Sequence, residues 1–157
     1  MLADEFEQLV SRHHVDLMRL ALVMSGDRAL AEDAVQACWQ AAWRSRGQIR
    51  DPSRIGAWLR TVTANEVRRQ LRRQRLRSLL HGRLRPPEPM PPVDPRHLDL
   101  TRALATLDVQ DRQLLALRFG LGLMSAEIGE QLGISASAAR VRLHRVLGRL
   151  RAELGDD

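Results

Sequence analysis

Six of the seven prolines lie between Pro86 and Pro95, and this cluster limits what the chain can fold into. Proline brings no backbone N–H to a helix and its ring clashes with the preceding turn, so such a segment favours an extended, polyproline-like path. The 157 residues are thereby divided into two stretches, each long enough for one small domain. Counted from Leu79 to His97 at about 3.1 Å per residue, an extended spacer reaches roughly 55–60 Å, about the length of 17 base pairs at 3.4 Å each. An SH3-type ligand is the other use of such a segment, but a spacer suits an arginine-rich chain of this kind better.

The stretch after the prolines carries the most specific pattern. Ser125 to Leu132 reads as a short amphipathic helix, with Ser125 as N-cap and Glu127 and Glu130 near its start. Gly133 can turn with positive φ, and Ser135 caps a second, longer helix. A short helix, a glycine turn and a longer helix form a helix-turn-helix, which sets its second helix into a DNA major groove. At 100° per residue, Ala139, Leu143, Val146, Leu147, Leu150 and Leu154 fall on one side of that helix and are predicted to be buried. Ser137, Ala138, Val141, His144 and Arg145 point away, flanked by Arg142 and Arg149 on one edge and Arg140 on the other. A basic amphipathic helix alone would be an ordinary surface helix; the capped helix before it makes DNA the better reading.

Three helices are predicted before the prolines. The first, from about Asp4 to Met24, places Phe6, Leu9, Val10, Leu17, Leu20, Ala21 and Met24 at helical spacing; Gly26 ends it and Asp27 caps the next. The second, from about Arg28 to Arg44, buries Ala31, Ala34, Val35, Cys38 and Ala42. Trp39 and Trp43 lie off that stripe, near Gln36, Gln40 and Asp33, as the aromatic anchors of a protein-binding face do. Packing on neighbouring helices is the plainer reading for Trp39, and the two readings are balanced for Trp43. The third helix starts at Pro52 and runs to about Leu80, with Ile55, Trp58, Leu59, Val62, Val67 and Leu71 on its apolar side. Between Arg68 and Arg85, across the end of this helix and just beyond it, there are eight arginines and no acidic residue. Arg68, Arg72 and Arg75 form one ridge, and Arg69, Arg73 and Arg77 the next. Such self-repelling ridges are stabilised when phosphates neutralise them.

Charge and composition point the same way. The net charge is +6 and all 25 basic residues are arginine, the side chain that pairs bidentately with phosphates and guanine edges. Cys38 is the single cysteine, so no intrachain disulfide or cysteine-based zinc site can form. No apolar run has membrane-spanning length and no signal pattern opens the chain, so a soluble, cytoplasmic protein is expected. His13 and His14 are adjacent rather than at metal spacing, and no catalytic constellation of carboxylates or nucleophiles accompanies them. No catalytic residue, metal or cofactor is expected.

Taken together, these residues resemble a known family. Ala31-Glu32-Asp33-Ala34-Val35-Gln36, then Ala57-Trp58-Leu59, Asn65 and an arginine-rich helix end, is similar to the second region of bacterial sigma factors. Leu104-Ala105-Thr106-Leu107, Leu117-Arg118-Phe119, Glu127-Ile128-Gly129, Leu132-Gly133-Ile134-Ser135 and Arg140-Val141-Arg142-Leu143-His144-Arg145 are similar to the fourth. Their order and spacing resemble the extracytoplasmic-function sigma factors of RNA polymerase.

The resemblance implies an all-α, two-domain protein: 1–80 for core polymerase and the −10 element, a flexible linker over 81–97, and 98–157 for the −35 element. It implies that Asp33 and Gln36, with Trp43 nearby, engage the β′ clamp helices, and that the second domain meets the β flap. Trp58-Leu59 to Asn65 would melt and read the −10 element, Asn65 beside a flipped base. Arg68, Arg69, Arg72 and Arg73 would hold nearby phosphates. Ser137, Arg140, Arg142 and Arg145 would lie in or beside the −35 groove. It also implies an anti-sigma partner for the free protein. Two departures stand out: Ser137-Ala138-Ala139 replaces the Gly-Thr-Val frequent in the family, and Glu66 directly follows Asn65. The other class to weigh is a stand-alone helix-turn-helix regulator that dimerises on a palindromic site.

Overall fold

The computed structural model describes residues 1–82 and 95–155, without the side chains of Pro95 and His97. Most of the expected linker, with its proline cluster, lies outside the described residues.

The N-terminal unit is built from three helices. α1 (Ala3–Ser25) opens with the Glu5 carboxylate accepting from the Leu2 N–H at 2.8 Å and closes on Gly26, whose φ of +63° suits only glycine without strain. The Asp27 carboxylate then accepts from the Leu30 N–H at 3.2 Å and starts α2 (Arg28–Arg44). Pro52–Arg54 is a single 3-10 turn, set by Asp51 accepting from the Ser53 N–H, before α3 (Ile55–His81). Leu17, Leu20, Ala21 and Met24 of α1 meet Ala31, Ala34, Val35, Cys38 and Ala42 of α2 and Leu59, Ala64 and Val67 of α3 in the core. The small side chains of α2 allow the other helices to approach closely. Burial raises the Cys38 pKa above that of a free thiol, so the group stays protonated there.

α4 (Pro95–Ala105) begins inside the segment expected as linker, because proline is accommodated in a first helical turn. α5 (Val109–Leu115) is capped by Asp108 and runs into a π-helical turn over Ala116–Gly120. α6 (Ser125–Leu132), Gly133 at φ +70° and α7 (Ala136–Leu154) complete the helix-turn-helix. Leu114, Leu117, Ile128, Ala139 and Val146 are its buried centre. No strand occurs among the described residues.

Three local expectations need correction. Ser125 is the first helical residue of α6 rather than its cap; Met124 holds the cap position, where the Glu127 carboxylate accepts its N–H at 2.7 Å. Leu154 is exposed, since α7 outruns its neighbours in its last turn. Trp58 stands at the rim of α3's apolar side, 36% exposed, rather than in the core.

The two units are packed together. α1 lies against α5 and the π-helical turn, and Arg112 of α5 donates to the Met24 carbonyl at 2.7 Å. Burial lowers the Arg112 pKa from its ordinary value, with Asp108 opposing the shift and Arg75 adding to it.

Candidate nucleic-acid interface

α7 is set by its neighbours. Ser135 Oγ accepts from the Ala138 N–H at 3.0 Å, which fixes the start of the helix. Ala139 and Val146 are buried, with Leu143, Leu147 and Leu150 packed against them, so the opposite side is turned outward. Ser137, Ala138, Val141, His144 and Arg145 are exposed there, and Arg140 Nη2 donates to Ser137 Oγ at 3.2 Å. Arg142 is half-buried: Asp111 and Gln110 of α5 accept from its guanidinium at 3.3 and 3.2 Å. α6 approaches the turn closely at Gly129, where a Cβ would stand 2.6 Å from the Ile134 carbonyl oxygen. A glycine inside a helix usually weakens it, and here the close approach explains its presence.

α3 presents the second basic surface. Asn65, Arg69, Arg72 and Arg73 are exposed, and Arg69 pairs with Glu66 at 2.7 Å. Burial alone would raise the Glu66 pKa, but hydrogen bonds from Arg69 and Gln70, with the charges of Arg69 and Arg73, bring it below the usual value. Arg68 is half-buried, donating to Asn65 Oδ1 at 3.3 Å and to Gln113 of α5. Burial, and then the guanidiniums of Arg142 and Arg72, lower its pKa. About two to three turns earlier on α3, Gln131 of α6 accepts from Arg60 Nε at 2.9 Å and donates to the Ala57 carbonyl at 3.1 Å and Thr61 Oγ1 at 2.7 Å. The helix-turn-helix is thus hydrogen-bonded directly to α3.

On α2, Asp33 and Gln36 are exposed, as is Trp43 at 41%. The Trp43 ring is held edge-on by Phe6 at 5.0 Å and covered by the Arg46 guanidinium at 4.0 Å. Trp39 packs inward on Phe6 and donates from Nε1 to His14 Nδ1 at 3.2 Å.

The sequence matches sigma-70 region 2 over residues 9–77 and sigma-70 region 4 over residues 97–150. It is 36% identical to the RNA polymerase sigma factor CarQ of Myxococcus xanthus over 98% of this chain and 91% of that protein. The chain belongs to the extracytoplasmic-function sigma factors. It is 32% identical to the sigma factor SigL of Mycobacterium tuberculosis, over 93% of this chain and 86% of that one. Its fold is similar to the sigma factor RpoE of Bartonella quintana, solved with the anti-sigma factor NepR, at a TM-score of 0.83, 24% identity and 99% coverage of both chains.

A sigma factor confers promoter recognition and DNA melting on core RNA polymerase at transcription initiation, and this is the function of the chain. Asn65 and Arg68 are together on α3, Asp33, Gln36 and Trp43 on α2, and Ser137, Arg140, Arg142 and Arg145 on α7. The sequence reading missed Asp111, Gln113 and Gln131, whose partners lie 31 to 74 residues away along the chain. Among the described residues, no helix is long and apolar enough to cross a membrane.

Proposed function

We propose that this sigma factor divides its work between two units, 1–80 and 98–157, joined over 81–97. Asp33 and Gln36, with Trp43 beside them, bind the clamp helices of core polymerase. Asn65 receives a flipped −10 base while Arg68, Arg69, Arg72 and Arg73 hold the adjoining phosphates. Ser137, Arg140 and Arg145 reach the −35 groove, with Arg142 beside them from its pair with Asp111. The chain performs no chemistry of its own and acts in the cytoplasm. The observation that supports this division is the exposed face of α2, which presents Asp33, Gln36 and the outer part of the Trp43 indole to solvent.

The arrangement of the free chain bears on its control. Gln131 holds α6 within hydrogen-bond distance of α3, whereas the expected linker, if extended, would let the two units reach DNA sites roughly 58 Å apart, about 17 base pairs. Engaging sites that far apart requires the two units to separate. An anti-sigma factor, such as that bound to the RpoE relative, would favour the closed form.

Retention of core polymerase on the immobilised chain tests the division. Asp33→Ala with Gln36→Ala is expected to reduce recovery at least about tenfold, a loss of roughly 1.4 kcal/mol. Arg140→Ala with Arg145→Ala is expected to leave it unchanged. Unchanged recovery in the first pair, or equal loss in the second, would reject the assignment.

A further inference from the structure

Asp111 is a buried carboxylate between two arginines of the recognition helix. Its side chain is 4% exposed; Oδ1 lies 3.3 Å from Arg142 Nη2 and Oδ2 lies 2.5 Å from Arg149 Nη2. The arginines are seven residues apart, two turns along α7, so one carboxylate spans both through separate oxygens. Asp111 is itself fixed, since its N–H donates to the Asp108 cap at 2.8 Å and Gln110 takes a second bond from Arg142 at 3.2 Å. The two arginine side chains remain partly accessible, 34% exposed for Arg142 and 57% for Arg149. Asp108, Asp111, Ser137, Val141, Arg142 and Arg145 line a single open cleft on the outward side of α7. Arg145 forms no ion pair among the described residues.

We propose that Asp111 is a specificity-determining positioning residue, an internal counter-ion that withholds Arg142 and Arg149 from DNA phosphates and leaves Arg140 and Arg145 to make the contacts. This rests on the −35 reading of α7. A buried carboxylate gains most from charged partners that satisfy both its oxygens, so it competes with a solvated phosphate for the same guanidiniums. Four unrestrained arginines would raise affinity for every duplex alike, because phosphate contacts carry no sequence information. With two of them held on one shared counter-charge, a larger share of the affinity depends on groove contacts. Asp111 therefore lowers background binding and fixes the rotation of α7.

The test is the salt dependence of binding to a fluorescent random-sequence duplex of about 24 base pairs, using the full chain, since each phosphate contact contributes a slope of about 0.9 in log K against log [salt]. Asp111→Asn is expected to steepen the slope by about one to two and tighten low-salt binding roughly tenfold, and Asp111→Glu to restore the parent slope. Arg149→Gln is expected to leave the slope unchanged while Arg145→Gln lowers it by about one. A purely structural clamp would lower the melting temperature of Asp111→Asn without altering the slope, and that result overturns the proposal. So does an Arg149→Gln loss equal to that of Arg145→Gln, which also decides the matter if Asp111→Asn does not fold. If Arg140→Gln and Arg145→Gln both leave the slope unchanged, the −35 reading itself falls.

Discussion

At Gly129 one missing atom decides whether the helix-turn-helix can form. The Ile134 carbonyl oxygen and the Ala136 nitrogen would lie 2.6 and 3.2 Å from any Cβ, and the Ile134 N–H is already bonded to the Gly129 carbonyl at 2.9 Å. Backbone held on both sides cannot yield as a flexible side chain does, so Gly129→Ala is expected to cost about 1–3 kcal/mol in urea unfolding. An unchanged midpoint would contradict the close approach. His13 offers a pH-dependent check, packed on Gly56 with Arg60 adjacent. Burial first, then the charges of Arg12 and Arg60, lower its pKa, and Asp16 only partly opposes them. A lowered histidine pKa means that the fold favours the neutral ring. Its contribution to stability is complete above the ordinary value of about 6.5 and is lost as pH falls toward the folded pKa. His13→Gln should therefore flatten the pH dependence of the melting temperature below about pH 6.5, and an unaltered profile would refute this. The glycine was legible only as part of a motif, because its reason is a contact across the turn. The sequence did not fix the burial of His13, because Gly56 and Arg60 beside it come from α3.

Helical elements were the most legible part of the chain. The 3.6-residue spacing and the Gly26, Asp27, Gly133 and Ser135 signals placed α1, α2 and α7 near their observed bounds. What spacing could not supply was the surroundings: α7 keeps a regular pattern to Leu154, yet its last turn has nothing to pack on. The cap of α6 was misplaced because Ser125 resembles an N-cap, while the bond is made from Met124 to Glu127. The spacing separated the outward Arg145 from Arg142 at the edge of α7, but it could not supply the partners that Arg68 and Arg142 find on α5, while Arg72 and Arg145 are exposed. On α3, the assigned role of Asn65 has its own consequence. Asn65→Ala is expected to impair open-complex formation on linear duplex at least about tenfold, and to have much less effect on a pre-melted template, because the cost of unstacking is then already met. Equal loss on both templates would dissociate Asn65 from base capture.

For the molecule as a whole, the packing of the two units was not legible. A proline-rich segment establishes reach, but reach does not say whether α6 rests on α3. That contact depends on Gln131 meeting Arg60, Ala57 and Thr61, pairings between residues about 70 positions apart. The one native cysteine is buried, so cysteines introduced at the exposed positions Arg44 and Arg151 can carry a fluorophore pair. Energy transfer is expected to be high in the free chain and to fall when core polymerase binds. Gln131→Ala should lower it without core, and identical transfer in all three states would show that the closed contact has no part in control.

The most direct measurement is run-off transcription by purified core polymerase on a pool of promoter fragments, with and without this chain. The account predicts discrete start sites that appear only with the chain and are lost on Asn65→Ala or on Arg140→Ala with Arg145→Ala. Sequence-specific binding to duplex DNA without core, and no chain-dependent transcript with it, would contradict the account.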